Sequence, residues 1–382
     1  MSLLFNFLLL GLTGGVVSSI TFGSIRISLL DVAAITLLVG WIIIKGKKIV
    51  TPVNQLARTT GPFLLVALLS LVIAGLQLPL AELFTAALYL VRFVLFLALL
   101  AIVGTTAELK QSGRYRLLIS GIAIALLGFI QYFLYPNLRN LAYLGWDPHE
   151  FRLFSTFLDP NFTGILLVLT MILVFLTQLY NHKKVNLAWV GVFALLLIAL
   201  LLTYSRGSFV ALVVTGTVFA WQQRQFKWLL LGCSIFILAL FLLPRPSGEG
   251  VRLLRTMSIS SRIADSFEAI NLWKTAPLFG VGFNTVRFVR NEQPESVNAE
   301  IAHSAAGFHN SFLFLLATTG IFGLASFIWM GKKLWELVDP RNRQVLGLTL
   351  LAVCIHSLFD NSLFYPPVLA WLAVLWGTSV RD

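Results

Sequence analysis

The sequence predicts an all-α polytopic membrane protein of about twelve transmembrane helices with one long extramembrane loop, and three observations predict it. The 382 residues are 58% hydrophobic and only 12% charged, which leaves too few polar side chains to clothe a soluble domain of this size. The mean hydropathy is +0.87, and apolar stretches of the roughly 20 residues needed to cross about 30 Å of hydrocarbon follow one another with short polar breaks. The formal charge of +12 sits in those breaks instead of on one soluble face. That distribution favours anionic lipid and phosphate over nucleic acid as partners.

In chain order, spans are expected at 3–20, 27–44, 62–79, 83–103, 117–135, 162–180, 187–204, 207–221, 228–243, 310–330, 344–359 and 364–379. Met1 to Ile20 has no basic stretch ahead of its apolar run and no clear small-residue cleavage site, so it reads as a retained first helix and not a signal peptide. With the N-terminus inside, the inner connections carry Lys45, Lys47, Lys48 and Arg58, then Lys110, Arg114 and Arg116, then Lys183 and Lys184, then Arg224 and Lys227, then Lys332, Lys333, Arg341 and Arg343. The short outer connections carry only Arg26, Arg139, Arg152 and Arg206. The positive-inside rule therefore puts both termini in the cytoplasm.

Two sizeable segments fall outside, Pro136 to Asn161 and a long loop over 244–309, both within a single integral membrane domain of residues 1–382. In the loop, Ile263, Phe267, Ile270 and Trp273 recur three or four apart between Ser261 and Thr275, the pattern of an amphipathic helix lying on the bundle or on the bilayer surface. No period of about 20 to 50 residues recurs, which excludes a repeat array. Cys233 and Cys354 lie in apolar stretches without metal-ligand spacing and read as core residues. Basic residue types also divide by side. Lys274 is the one outer lysine, whereas Arg26, Arg92, Arg139, Arg152, Arg206, Arg245, Arg252, Arg255, Arg262, Arg287 and Arg290 lie outside or in the outer half. Guanidinium forks bind phosphate oxygens two at a time and tolerate partial desolvation, so this bias suits an outer-leaflet phosphate.

Three places carry candidate chemistry. Thr203-Tyr204-Ser205-Arg206-Gly207-Ser208 is a tight polar break that leaves Arg206 at headgroup depth; the plain alternative is a snorkelling helix-end anchor. Ser260-Ser261-Arg262 opens the amphipathic stretch, which is followed by Pro277 and Gly280-Val281-Gly282-Phe283-Asn284. The GxG lacks the third glycine and preceding strand of a dinucleotide fingerprint and reads as a turn, while Arg262 is either an anion ligand or a solvated loop residue. His309-Asn310 stands where the loop enters the tenth span, with Gly320 further on. A histidine there can take a hydroxyl proton at neutral pH, or simply cap the helix. His303 is a weaker candidate in the same loop. Arg92 and Asp31 inside spans, and His356 and Asp360 at the end of the eleventh, are further polar groups that would face a cavity or one another. Asp159-Pro160 reads as a helix start. With no Walker loop, no DxD-like acidic pair in the outer loop and no HExxH, no cofactor or metal site is expected.

Asp31, Phe157-Leu158-Asp159-Pro160-Asn161, Ser205-Arg206-Gly207, Arg262 with Trp273 and Gly280-Val281-Gly282, and His309-Asn310 with Gly320 together resemble the O-antigen ligase and polymerase family of bacterial envelope glycosyltransferases. The resemblance spans nearly the whole chain. It implies a multi-pass protein of the bacterial cytoplasmic membrane, with its site on the outer face. It also implies metal-independent, inverting transfer from an undecaprenyl pyrophosphate glycan donor to a glycan or lipid acceptor, in lipopolysaccharide or other envelope polysaccharide synthesis. It further implies Arg206 and Arg262 on the pyrophosphate and His309 by the acceptor hydroxyl. From their positions in the sequence, Arg92, Asn310 and His356 are further substrate-binding candidates. A transporter or flippase of lipid-linked sugars is the alternative. Such proteins place charges and broken helices near the midplane in paired halves, whereas here the polar groups gather at one face. A scaffold explains neither the arginine bias nor His309.

Overall fold

The computed structural model describes residues 1–22, 25–180, 186–243, 251, 257–290 and 307–381. Lys183, Lys184, Arg245, Arg252, Arg255 and His303 lie outside the described residues. Each of the twelve expected spans contains a helix: α1 (Ser2–Gly14), α2 (Leu29–Lys45), α3 (Val50–Ala74), α4 (Leu80–Thr105), α5 (Ala107–Leu134), α6 (Pro160–Val174), α7 (Leu187–Leu202), α8 (Arg206–Gln223), α9 (Phe226–Leu242), then α12 (Ser311–Glu336), α13 (Arg343–His356) and α14 (Pro366–Gly377). Between α9 and α12 stand α10 (Met257–Thr275) and the short α11 (Val286–Arg290). Among the described residues, five helical runs are long and apolar enough to cross a membrane: Leu29–Ala74, Leu80–Thr105, Ala107–Leu134, Pro160–Tyr180 and Ser311–Glu336. They support a multi-pass membrane protein.

The all-α expectation needs one correction. The first helix stops at Gly14, and the end of the first expected span, the connection and the start of the second form a hairpin of β1 (Ser19–Phe22) and β2 (Ile25–Ser28), paired antiparallel from Ser19↔Ser28 to Phe22↔Ile25. The β-branched residues Ile20, Thr21, Ile25 and Ile27 favour extended backbone. β2 runs directly into α2, because Ser28 accepts from the amide of Asp31 while Asp31 accepts from the amide of Ser28, a capping box that satisfies two of the orphan donors at the helix start.

Contacts sort the connections onto two ends of the bundle. At one, Lys45 Nζ donates to the Thr105 carbonyl at 2.8 Å, Arg114 reaches Thr378 and Ser379, Arg116 reaches Ser2, and the Asp339 amide donates to Ser379. Both termini and the loops after α2, α4 and α12 meet there. At the other end, Thr156 Oγ1 donates to Thr13, the Leu153 amide to Leu202 and the Ser311 amide to Ser357. The core has two centres. Helix α6 is buried along most of its length, and a knot of rings forms where α3, α4 and α12 meet, with Phe63 edge-on to Phe93 at 5.6 Å and to Phe327 at 5.2 Å. Each such pair adds about 0.5–1.5 kcal/mol to its area burial.

Two features of the 244–309 segment refine the expectation. The side of α10 that meets the bundle is Ala269 and Leu272, packed with Val286, Phe308, Phe314 and Ala317, while Ile263 and Phe267 remain exposed. The first half of the apolar stripe read from the sequence thus points away from the bundle, while Ile270 and Trp273 are half-buried, which fits the bilayer-surface alternative for Ile263 and Phe267. The Gly280-Val281-Gly282 turn is also more than a turn. Helix α12 breaks at Gly320 (φ 67°, ψ −168°), and the amides of Val281 and Gly282 donate to the carbonyls of Ala317 and Thr318, while those of Ile321 and Phe322 donate to Pro277 and Leu278. The loop therefore supplies the partners the broken helix lacks, as a break at membrane depth requires. A Cβ on Gly320 would lie 2.2 Å from the Leu278 carbonyl oxygen, and one on Gly280 2.3 Å from the Thr318 carbonyl carbon.

Candidate active site

Arg206 opens α8. Its placement comes from Ser205, whose hydroxyl caps the helix by accepting from the Ser208 amide, and from the buried Tyr204 at φ 50°, which closes the turn from α7. Gly207 lies against Phe359 and the ring of His356. Arg262 reaches the same place from α10 and donates through Nη2 to both carboxylate oxygens of Asp360, at 3.3 and 3.2 Å. Arg262 is close enough for its charge to act on both Arg206 and His309. Burial pushes the Asp360 carboxyl up to about 6 in spite of Arg262.

His309 immediately precedes α12, which Asn310 caps by accepting from the amides of Phe312 and Leu313 at 2.9 and 3.1 Å. The Nδ1 of His309 lies 3.1 Å from Asp265 Oδ2, and its backbone amide donates to the same oxygen at 2.6 Å. The other oxygen of Asp265 accepts from Arg290 Nη2 at 2.7 Å. Arg290 also reaches Glu268 and stacks on Phe308, 4.4 Å from the ring centroid. Desolvation works to raise Asp265, but the hydrogen bonds from His309 and Arg290 outweigh it and hold the carboxyl below its ordinary value. The hydrogen bond to Asp265 in turn raises His309 above 6.5, against the opposing effect of burial. Because a carboxylate only accepts, Nδ1 carries the proton and Nε2 is the basic nitrogen.

A cavity of about 840 Å³ opens beside His309 and Asp360 and extends to the hairpin, α4 and α11. Arg92 lines it, though its fork is engaged: Nε and Nη2 each lie 2.9 Å from an oxygen of Asp31, and Nη2 also donates to the Arg26 carbonyl. Breaking such a partly buried pair costs about 3–5 kcal/mol because the remaining charge is uncompensated. The structure thus gathers Arg206, Arg262, His309, Asn310 and His356 at one place and sets Arg92 on another wall of the adjoining chamber. His356 is fully buried, with Nδ1 2.6 Å from Ser362 Oγ, and supports the turn at Arg206. The Asn310 oxygen is taken up by its cap. Asp159 caps α6 as expected, accepting from the amides of Asn161 and Phe162.

Sequence reasoning missed Asp265 and the role of Arg290. The available signal was spacing, since Asp265 stands three residues after Arg262 and so shares a helix face with it. Among the described residues no group of three or more His, Cys, Asp or Glu is placed to hold a metal ion.

Apolar helices around a chamber with a carboxylate-bound histidine on its wall are the features of a multi-pass membrane protein with a polar site. A family model described as O-Antigen ligase matches residues 191–328, from α7 into α12, and supports the O-antigen ligase/polymerase family and a glycosyltransferase of that type. No curated protein matches the chain.

Proposed function

We propose that the protein moves glycan from undecaprenyl pyrophosphate to an acceptor hydroxyl, as a ligase or polymerase, at the outer face of the bacterial cytoplasmic membrane, without a metal and with inversion. The observation that carries this reading is the convergence of Arg206, Arg262 and the His309–Asp265 pair from three separate helices. In the step, His309 Nε2 takes the proton from the acceptor hydroxyl. The acceptor oxygen bonds to the anomeric carbon as the carbon–oxygen bond to pyrophosphate breaks on the opposite face, so a single displacement inverts the centre. Pyrophosphate leaves with the electron pair, and the guanidinium groups of Arg206 and Arg262 stabilise its growing charge in a poorly hydrated site. The bonds of Arg262 to Asp360 run from Nη2, so a phosphate can meet the other nitrogens of the guanidinium without breaking that pair. Asp265 fixes the ring of His309 and stabilises the imidazolium that forms, the logic of a catalytic triad's carboxylate.

The test is to incubate the purified protein with a defined undecaprenyl pyrophosphate oligosaccharide and candidate acceptors, with and without EDTA. Release of carrier pyrophosphate and an inverted linkage, unaffected by chelator, is expected. Retention, or recovery only on adding magnesium or manganese, overturns the mechanism. Movement of the lipid-linked sugar across vesicles without transfer would support the transporter alternative.

A further inference from the structure

We propose that Arg290 is a positioning residue for His309 that acts through Asp265: it holds the carboxylate against the imidazole and draws off part of its charge, so that the ring is aimed yet free to be neutral. The proposal rests on the functional reading above for His309 as the base. Arg290 does not line the chamber that His309 borders, so its route to the reaction runs through other side chains.

Four side chains form a row of alternating sign. His309 Nδ1 meets Asp265 Oδ2 at 3.1 Å, Asp265 Oδ1 accepts from Arg290 Nη2 at 2.7 Å, and Arg290 turns its Nε and Nη2 to the two oxygens of Glu268 at 2.7 and 2.8 Å. The side chains of Asp265 and Arg290 are 12% and 18% exposed, whereas Glu268 stands in the open at 52%. A two-donor fork is the stronger grip, so Glu268 takes the larger share of Arg290 and Asp265 keeps charge for the ring. The same guanidinium fixes the backbone that carries His309. Its Nη1 donates to the Gly307 carbonyl at 3.3 Å, and it lies 4.4 Å from the ring centroid of the buried Phe308.

The charges of the row explain why an arginine belongs there. Asp265 and Glu268 each bring one negative charge and Arg290 one positive, so with His309 neutral the row carries one net negative charge. The proton taken from the acceptor brings it to zero. Without Arg290 the row would carry two, and an imidazole beside that charge would stay protonated where a base must be neutral. The other charges around His309 oppose one another: Asp360 favours its cation and Arg262 disfavours it, and those two are paired. Arg287 shares the chamber wall with His309.

The test titrates His309 by nuclear magnetic resonance in the detergent-solubilised protein with its five histidines labelled, the signal being assigned by its loss in His309→Gln. Arg290→Gln should move the titration up by roughly 0.5 to 1 pH unit, the effect of one charge at this remove. Arg290→Lys keeps the charge and should leave it nearly in place. Glu268→Gln removes a negative charge at the exposed end and should move it down, by less. The acid limb of transfer should follow: Arg290→Gln should lose about three- to tenfold in rate below the limb and regain it at higher pH. The maximal rate should fall in both Arg290 variants, because both lose the fork. A merely structural arginine would lower the rate without moving the titration, so an unmoved or falling titration in Arg290→Gln overturns the proposal. Should that variant fail to elute as a single folded species, Glu268→Gln decides, and an unmoved titration there overturns the row. The titration needs no turnover. An upward move in a chain that transfers nothing would sink the transferase reading and leave the row standing, whereas transfer with an unmoved titration would sink the row alone.

Discussion

Arg206 and His309 stand close together yet should fail in different ways. Lysine at 206 keeps the charge and loses the second aligned donor, so Arg206→Lys should lower transfer by roughly a hundred- to a thousand-fold, the cost of losing one transition-state donor in a dry site. Binding of a carrier-lipid pyrophosphate analogue should weaken with it. His309→Ala should leave that binding nearly intact and reduce the rate by about 100- to 10,000-fold. Measuring analogue binding beside transfer separates the two, and lost donor binding in His309→Ala would show that the roles are misassigned. Asp265 has its own signature in pH. Its hydrogen bond raises His309, and only the neutral imidazole accepts a proton, so transfer should rise with pH through a value above 6.5. In Asp265→Asn the raising influence is lost, and the acid limb should move to lower pH as the maximal rate falls. An unmoved limb would reduce Asp265 to packing.

At the scale of elements, the break in α12 sets where His309 stands, because the half-helix before Gly320 is held by the turn at 280–282 and not by the half that follows. The backbone at Gly320 occupies a region open almost solely to glycine, where another residue costs on the order of 1–3 kcal/mol before the clash with Leu278 is counted. Gly320→Ala should therefore lower the thermal unfolding midpoint of the solubilised protein and reduce transfer, whereas Gly216→Ala, in the open face of α8 where an added Cβ meets nothing, should do neither. Equal behaviour of the two would mean that the seam is slack. These elements also show what could be read in advance. The helices were legible because about 20 apolar residues in a row have few other uses. The hairpin was not, because ten residues from Ser19 to Ser28 extend an apolar run at both ends and hydropathy averages across them. Arg206, Arg262 and His309 were legible as residue types at helix ends. Asp265 was not, since its partner is 44 residues away and an Asp on an amphipathic helix looks like part of its wet face.

For the whole molecule, the alternation of ends fixes which reporter fusions should be exported. Lys45 at the end of α2, Arg114 early in α5 and Asp339 after α12 lie with the two termini at one end, and the site lies at the other. If the basic end is cytoplasmic, as the positive-inside rule requires, a phosphatase reporter fused after Gly248 should be active outside the cytoplasm, and one fused after Lys184 or Lys333 should stay silent. Activity at Lys333 would turn the molecule over and put the chamber on the wrong side for an outer-leaflet donor.

The joint between residues 276–282 and the break in α12 bears on how such proteins can be recombined. Each partner fills hydrogen bonds the other lacks and leaves no room for a methyl group, so the two stretches form one component assembled from separate parts of the chain. A chimera that borrows a foreign loop but keeps its own α12, made to change acceptor preference, would join mismatched halves of that component. A viable transplant would carry residues 276–323 as one cassette.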